Sequence, residues 1–189
     1  MRPNNNMSTN DIDDDIILSV FPSVRGFGFA VFQGAWTPID WGFRHVKGDK
    51  NKESLRKVRE LIESYEPSVF LVEDCAGEGS NRAPRIEALI KDIAALAAKK
   101  DIKAHRYSRA RIRECFAEFG AVNKHQIAVA ISESLPEFPP QLPLPRKIWL
   151  PEDYRMCIFD AVSLIFTHFY FHTVKPQTRQ EPEGEGERL

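Results

Sequence analysis

The sequence predicts an α/β domain built on a mixed five-stranded sheet with helices on both faces. Two patterns carry this prediction. Near the start of the chain, three apolar runs separated by short turns are typical of an antiparallel meander. After them, amphipathic helical segments alternate with short apolar runs, which is typical of parallel strands joined by crossover helices.

The meander begins with "IILSVFPSVRGFGFAVFQG", two β-branched and aromatic runs about a turn that contains proline and glycine. Its third strand is "WTPIDWGFRHVK" (residues 36–47), where Pro38 disfavours a central position in a sheet. In "KNKESLRKVRELIESYEP", apolar residues recur at three- and four-residue steps, which predicts a helix that Pro67 ends. The continuous apolar run "SVFLVEDC" then predicts a strand buried on both faces.

The second half continues this alternation. "RIEALIKDIAALAAKK" is amphipathic and helical, "DIKAHRYS" is a short strand, and two further helices are separated at Gly120. A Pro-rich stretch, "EFPPQLPLPRKIWLP", predicts an extended connection, and "EDYRMCIFDAVSLIFTHFYFH" predicts a long apolar last helix. The order β-β-β-α-β-α-β-α-α-α resembles that of the ribonuclease H-like fold.

Length and charge divide the chain into three parts. With 189 residues, 42% of them hydrophobic, one domain with a sizeable core is expected. Residues 1–15 hold one arginine and four aspartates, and residues 175–189 hold three basic and four acidic residues, which leaves the middle at +3 within a total of −1. We therefore predict a disordered acidic arm (1–15), a mildly basic domain (16–174) and a disordered acidic tail (175–189).

Compartment and metal content can be predicted from simple counts. No apolar run reaches the ~18 residues of a membrane span, and the polar start does not resemble a secretory signal. The three cysteines are few, odd in number and widely separated, so we expect free thiols in a cytoplasmic protein. No Cys-x-x-Cys or His/Cys cluster in the sequence suggests zinc.

Four stretches, taken in order, resemble the RuvC family of Holliday junction resolvases. They are "ILSVFPSVRGFGFAVF", like the family's opening hairpin; "LVEDC", like the strand that carries its glutamate; "YSRARIRECFAEFGAVNKHQIAVAI", with Gly120, Lys124 and Gln126; and "FDAVSLIFTHFY", like its last helix. The resemblance covers residues 16–170. It implies a magnesium-dependent endonuclease for branched DNA that is usually a homodimer.

The resemblance also assigns site positions. Of the family's four catalytic carboxylates, the first-strand aspartate falls on Phe21 and the glutamate on Glu73. The two aspartates of the last helix fall on Cys157 and Asp160, and Lys124 falls on a lysine that the family places near the cleavage site. Two of the four carboxylates are therefore kept.

This loss bears on the chemistry. Two-metal phosphodiester cleavage needs hard oxygen ligands that hold two cations about 4 Å apart. Phe21 has no lone pairs, and the thiolate of Cys157 is a soft donor that suits zinc or copper. Glu73 and Asp160 together would hold at most one hydrated ion, so we expect Mg²⁺ or Mn²⁺ as a cofactor only if the protein is active, and none otherwise.

Other carboxylates are poor substitutes. The candidates near these positions are Asp15, Asp40, Asp74 and Asp153. Asp74 follows Glu73 on a strand and so points to the opposite face. Asp153 is seven residues before Asp160, which is about 10 Å along a helix. Asp40 lies on another strand, whose place in the sheet decides its distance from the site.

Each site position also has a structural interpretation. Glu73 is, by default, a solvated carboxylate at a strand end, and Asp160 an acid favoured by a helix dipole. Our preferred interpretation of Phe21 is a core residue that fills the former metal site, with base stacking as the alternative. Cys157 is interpreted as a small buried hydrophobe.

The densest positive segment is "KKDIKAHRYSRARIR", which we predict to contact phosphates, with Tyr107 available to stack on a base. Its cations are Lys99, Lys100, Lys103, Arg106, Arg109, Arg111 and Arg113. The alternative is a solvated basic helix face. In the loop "AGEGSNRAPR" (residues 76–85), Arg82 and Arg85 are further predicted DNA contacts, but the aromatic wedge that the family places in this region is absent.

Three hypotheses follow. The first is a catalytically degenerate, RuvC-like protein that binds branched or structured DNA. The second is an active nuclease whose site is rebuilt from Glu73, Asp160 and a third carboxylate. The third is a structural, protein-interaction module. For the Pro-rich "FPPQLPLPRK", a connecting arm that packs on the fold or on a dimer mate is preferred over a ligand for an aromatic groove.

Overall fold

A computed structural model describes residues 15–76 and 81–174. The elements in chain order are β1 (Ile16–Ser23), β2 (Gly26–Gln33), β3 (Thr37–His45), α1 (Lys50–Tyr65), β4 (Val69–Glu73), α2 (Pro84–Lys99), β5 (Lys103–Tyr107), α3 (Arg109–Ala117), α4 (Lys124–Ser134) and α5 (Met156–Phe169). A 3₁₀ turn spans Pro139–Gln141, and a π-helical turn, Tyr170–Val174, extends α5. The predicted acidic arm and tail lie outside the described residues, except for Asp15.

The five strands form one mixed sheet in the order β3-β2-β1-β4-β5. β1, β2 and β3 pair antiparallel, whereas β1, β4 and β5 pair parallel. The predicted meander and the predicted parallel strands are therefore both confirmed. β3 is an edge strand, and Pro38 lies where the β2–β3 register shifts, which is where a sheet tolerates proline.

Helices cover both faces of the sheet. Alternate residues of β1 separate the two cores: Ile17 and Phe21 pack towards α3, α4 and α5, whereas Leu18 and Val20 pack towards α1 and α2. Buried phenylalanines, among them Phe159, fill the core between the sheet and α3, α4 and α5. Among the described helices, none is both long enough and apolar enough to cross a bilayer.

Local signals explain where the helices begin and end. Asp49 caps α1 by accepting a hydrogen bond from the backbone N–H of Lys52 at 3.2 Å, and Glu66 ends the helix at φ 46° before Pro67. Asn123 and Gln126 form a reciprocal capping box at the start of α4. This cap places Lys124 at the first residue of α4, directed towards α5.

Candidate functional site

The candidate site lies where the carboxyl ends of β1 and β4 meet. The parallel register pairs Val20 with Val72, so Phe21 and Glu73 are neighbours one residue further along. Both side chains point to the face that α5 covers, because strand side chains alternate. Phe21 is 3% exposed and Glu73 is 0% exposed. The sequence prediction that these two positions share a site is consistent with this placement.

α5 brings the other two positions to the same place. Cys157 and Asp160 lie about one turn apart on α5. The helix approaches the sheet closely: a Cβ added to Gly28, the β2 partner of Phe21, would lie 2.1 Å from the carbonyl oxygen of Cys157. One turn later, Ser19 Oγ donates a hydrogen bond to the carbonyl of Ala161 at 2.7 Å, which fixes α5 against β1.

Glu73 is held by two arginines. Arg82 donates from Nε at 2.7 Å and also from Nη2 to one carboxylate oxygen. Arg109 donates from Nε at 2.9 Å to the other. The arginine side chains are 16% and 34% exposed, so the guanidinium groups close the site from the solvent side. Each oxygen of this buried carboxylate is thus already bound to a cation of the protein.

Asp160 has a cation of its own. Lys124 Nζ lies 2.8 Å from Asp160 Oδ2, in an ion pair that is not aligned as a hydrogen bond. The same ammonium group donates to both oxygens of Glu152, at 2.9 and 3.0 Å. Burial raises the pKa of Asp160 against the opposing effect of Lys124. Burial also opposes the charge of Lys124, but Asp160 and Glu152 outweigh it and raise the pKa of that lysine.

The three cations surround the ring of Phe21. The guanidinium carbon of Arg82 lies 4.7 Å from the ring centroid, and Arg109 and Lys124 each lie 6.0 Å from it. Contacts of this kind are favourable because the face of an aromatic ring is negative. Phe21 therefore fills the space between Glu73 and Asp160 and also contacts the groups that neutralise them.

These residues do not fit a two-magnesium site. Magnesium requires nearly octahedral oxygen ligands, yet Glu73 is engaged by Arg82 and Arg109, and Phe21 offers no donor. Burial raises the pKa of the Cys157 thiol to about 12, so it stays protonated at neutral pH. Across the described residues, the carboxylates do not gather in any group of three potential ligands.

The alternative carboxylates named from the sequence lie elsewhere. Asp40 accepts a hydrogen bond from Tyr65 at 2.6 Å, Asp15 one from Ser68 at 2.7 Å, and Asp74 one from the backbone of Ala76 at 2.9 Å. Asp153 was expected on the same helix as Asp160, but α5 begins only at Met156, so Asp153 precedes it and pairs with Arg155. The acid that approaches Asp160 through Lys124 is Glu152, which the sequence analysis did not consider.

An open cavity of about 290 Å³ borders the site. Its walls include Phe21 and Asp160 together with three cationic side chains, those of Arg109, Arg113 and Lys124. In the part of the chain that the structure describes, Arg113 has no ion-pair partner. The cavity is thus positively lined, with three cations against one carboxylate, and the rest of its wall is largely apolar.

The predicted basic segment does not form one continuous face. Lys100 pairs with Glu63 at 3.3 Å and Arg111 with Glu114 at 3.1 Å, while Arg109 turns inward to Glu73. In the loop, Arg82 also turns inward, and Arg85 donates to Asn51 at 2.8 Å. Four cations have no ion pair with any described residue: Lys99, Lys103, Arg106 and Arg113.

Tyr107 occupies a different environment from the one predicted. It is 8% exposed, and its hydroxyl lies 2.9 Å from Nδ1 of His168, so its ring belongs to the core and not to the surface. Beside it, His105, His168 and His172 come together, although the sequence analysis found no His cluster. The available signal was the four-residue spacing of the last two histidines, which places them on one side of a helix.

The sheet order and the helices on both faces give this chain a ribonuclease H-like fold, the fold of RuvC-like Holliday junction resolvases. A structure of Thermus thermophilus RuvC superposes with a TM-score of 0.60 at 15% identity, over 84% of this chain and 96% of RuvC. RuvC from T. thermophilus in complex with Holliday junction substrate superposes with a TM-score of 0.61 at 13% identity, over 85% and 96%. The yeast mitochondrial Holliday junction resolvase Ydc2 gives 0.56 at 9% identity, over 82% of this chain and 77% of Ydc2.

These likenesses confirm the predicted fold. No protein-family model matches the sequence, and no curated protein matches it either. At identities below one fifth, structural likeness establishes the fold alone, so function has to be inferred from the residues of this chain.

Proposed function

We propose that this protein binds branched or structured DNA on a resolvase fold without cleaving it. The observation that carries the proposal is the state of Glu73, whose two oxygens are both taken by arginines of the same chain. Around it, Phe21 and Cys157 replace two ligands that the resemblance calls for, and Lys124 pairs with Asp160. The metal positions are thus filled by an aromatic ring and three cations.

Energetics favour this arrangement over metal binding. To reach Glu73 and Asp160, a metal ion would have to displace Arg82, Arg109 and Lys124. The ion would therefore have to replace three charge-assisted interactions that the carboxylates already make within the fold. The gain is small, since two carboxylates without a third ligand hold a hydrated Mg²⁺ or Mn²⁺ weakly.

The positively lined cavity supports DNA binding. Arg113 faces it without an ion-pair partner among the described residues, and Lys124 and Arg109 are each about one third exposed. Contacts between cations and phosphates supply most of the affinity for DNA and do not depend on catalysis. In this proposal the cavity receives a backbone phosphate, while Lys99, Lys103 and Arg106 add attraction at longer range.

The second hypothesis is an active nuclease, and one contact favours it. Glu152 shares Lys124 with Asp160, so a movement of that lysine would leave two carboxylates near each other. Such a site would contain Glu73, Asp160 and Glu152 and would need both arginines to withdraw from Glu73. It predicts cleavage that is lost in Glu152→Gln as well as in Glu73→Gln.

A single gel experiment separates the hypotheses. The purified chain is mixed with labelled four-way junction, duplex and single strand in EDTA, in Mg²⁺ and in Mn²⁺. The proposal expects shifted bands, strongest for the junction, and no product in any buffer. A metal-dependent cleavage product that disappears in Glu73→Gln would contradict the proposal that the protein does not cleave DNA. Absence of any shift at low salt would favour a protein-interaction module.

The cavity is tested by a matched pair of variants. Arg113→Ala is expected to weaken binding to all three DNAs by a similar factor, since phosphate contacts carry little sequence information. Arg59→Ala removes an exposed arginine from α1, on the opposite face of the sheet, and should bind as the unaltered chain does. Equal losses in both variants would point to general charge attraction.

Assembly and location remain predictions within this proposal. A homodimer predicts twice the chain mass of 21.6 kDa in solution light scattering, alone or with junction DNA. The cytoplasmic location predicts that the thiols stay reduced in the cell, which a thiol-labelling assay on fresh lysate would measure.

A further inference from the structure

Three of the five histidines in the sequence lie together, away from the site around Phe21. His105 is on β5, His168 is near the end of α5, and His172 is in the π-helical turn that follows. One ring nitrogen of each lies within 4.8 Å of those of the other two. The ring centroids are 4.2 Å apart for His168 and His172, 4.8 Å for His105 and His168, and 5.2 Å for His105 and His172.

The four-residue spacing of His168 and His172 places both rings on one side of the helix. Between them α5 passes into the π-helical turn of residues 170–174, whose hydrogen-bonded turns are wider than those of an α-helix. Single π-turns are rare and are frequently found at functional sites. The backbone therefore departs from regular α-helical geometry at the turn that carries His172.

The imidazoles are in the state that a metal requires. Burial lowers the pKa of His168 to about 3, and the neighbouring histidines act in the same direction. Burial also lowers the pKa values of His105 and His172. Burial therefore favours the uncharged form of the rings, and a neutral imidazole has the free lone pair that binds a metal.

Tyr107 supplies the second layer of a metal site. Its hydroxyl oxygen lies 2.9 Å from Nδ1 of His168. When Nδ1–H donates to this oxygen, the lone pair of His168 is on Nε2, which is left to bind a metal. Metal-bound histidines nearly always donate their other ring N–H to a polar partner in this way.

We propose that His105, His168 and His172 bind a Zn²⁺ ion through three imidazole nitrogens, with a fourth coordination position open to solvent. Zinc takes imidazole nitrogens at 2.0–2.1 Å in tetrahedral geometry, which requires ligand atoms roughly 3.3 Å apart. The ring nitrogens are at most 4.8 Å apart, so side-chain rotations that move each nitrogen by about an ångström would bring them to this separation. The alternative is that the three rings only pack against one another.

The surroundings explain both access and affinity. His105 and His172 line an open pocket of about 390 Å³ beside Arg106 and Arg111, so an ion reaches the site from solvent. Lys103 acts on His105 in the same direction as burial. These cations repel a dication, so we expect weaker binding than that of a structural zinc site with thiolate ligands.

The inference does not depend on the proposed function. His168 is eight residues beyond Asp160 on α5, about 12 Å along the helix axis. A bound ion would join β5 to the end of α5 and stabilise the folded chain without touching the cavity at Phe21. DNA binding and zinc binding therefore succeed or fail independently of each other.

The test uses the full chain without a histidine tag, freed of metal with EDTA and then dialysed. Isothermal titration with ZnCl₂ is expected to show one ion per chain, and the melting temperature should rise by several °C with excess Zn²⁺. Co²⁺ in place of Zn²⁺ should give the visible absorption of a tetrahedral nitrogen site. His172→Gln should weaken binding at least tenfold, and Tyr107→Phe about tenfold.

Two control variants test whether zinc binding is specific to the three histidines. His45→Gln alters an exposed histidine of β3, and Cys75→Ser removes the most accessible of the described thiols; both should bind Zn²⁺ as the unaltered chain does. Binding of less than half an ion per chain, or affinity unchanged in both His172→Gln and His105→Gln, would overturn the proposal. Equal loss in His45→Gln would show surface binding and would overturn it as well.

Discussion

The two ends of α5 present potential metal ligands in opposite electrostatic settings. Near its first turn, Asp160 faces Lys124, and the neighbouring Glu73 is bound by two arginines. Near its last turn, His168 meets two other uncharged imidazoles and one tyrosine hydroxyl. The first set is charged and already paired with cations of the chain, whereas burial favours the neutral form of the second set, which pairs with no cationic side chain among the described residues.

Ligand type alone therefore does not identify a metal site. A metal ion competes with whatever already satisfies its ligands, so carboxylates that hold arginines are poor metal sites. Imidazoles that only pack against one another lose little when an ion arrives.

Removing the charge of Glu73 should be the most damaging of these changes. Glu73→Gln leaves the arginines at positions 82 and 109 without their carboxylate, and we expect a loss of about 3 kcal/mol in the free energy of unfolding. Glu60→Gln is the matched control, because Glu60 is 56% exposed and its pair with Arg56 should contribute less than about 1 kcal/mol. Urea denaturation measures both. A loss below about 1 kcal/mol in Glu73→Gln would show that the buried pair does not stabilise the site.

Close packing at the Asp160 end gives the next effect. A Cβ at Gly28 would meet the backbone of Cys157, which cannot move aside as a side chain can. Gly28→Ala should therefore cost about 1–3 kcal/mol by overpacking. Gly42→Ala on the next strand would meet only the ring of Phe29 at 3.3 Å, and it should cost less. Equal melting temperatures for the two variants would contradict this account of how α5 is seated.

The histidine end should make stability depend on pH. A histidine with a lowered pKa stabilises the folded chain above its unfolded value near 6.5, and this stability is lost as the pH falls towards about 3. Without metal, unfolding at pH 5.5 should require about 1.4 kcal/mol less than at pH 7.5 for His168 alone. Its surroundings, His105, His172 and Tyr107, include no carboxylate among the described ligand groups. In His168→Gln the free energy of unfolding should depend less on pH. An unchanged pH dependence in this variant would show that His168 is not its source.

The smallest predicted effect concerns DNA. If Arg113 contacts one phosphate, Arg113→Ala should reduce the salt dependence of binding by about one ion. Between 50 and 200 mM salt, the variant should lose roughly threefold less affinity than the unaltered chain. Arg59→Ala should keep the full slope. An identical salt dependence of binding in all three proteins would show that Arg113 does not contact a phosphate.

Much of the fold could be predicted because its signals are local. The alternation in β1 and β2, the helix that Pro67 ends and the apolar run of β4 each depend on neighbours in sequence, and all are present in the structure. The resemblance to RuvC also placed Phe21, Glu73, Cys157 and Asp160 together, as the register of β1 and β4 and the position of α5 require.

The state of the site could not be predicted because it depends on side-chain direction across the fold. Arg82 and Arg109 are cations in the sequence whether they face DNA or Glu73, and only their geometry shows that they turn inward. Tyr107 was predicted at the surface because its neighbours are basic, yet it points to the core from an edge strand. The histidine cluster brings together residues more than sixty positions apart in the sequence, so no short sequence motif could predict it.

The most direct test of the contrast is a pair of crystal structures with anomalous scattering, one grown in Mn²⁺ and one in Zn²⁺. We predict a zinc peak between His105, His168 and His172, and no manganese peak between Glu73 and Asp160, where Arg82 and Arg109 remain in place. A manganese peak bridging Glu73 and Asp160, with the arginines displaced, would contradict it and would support an active nuclease.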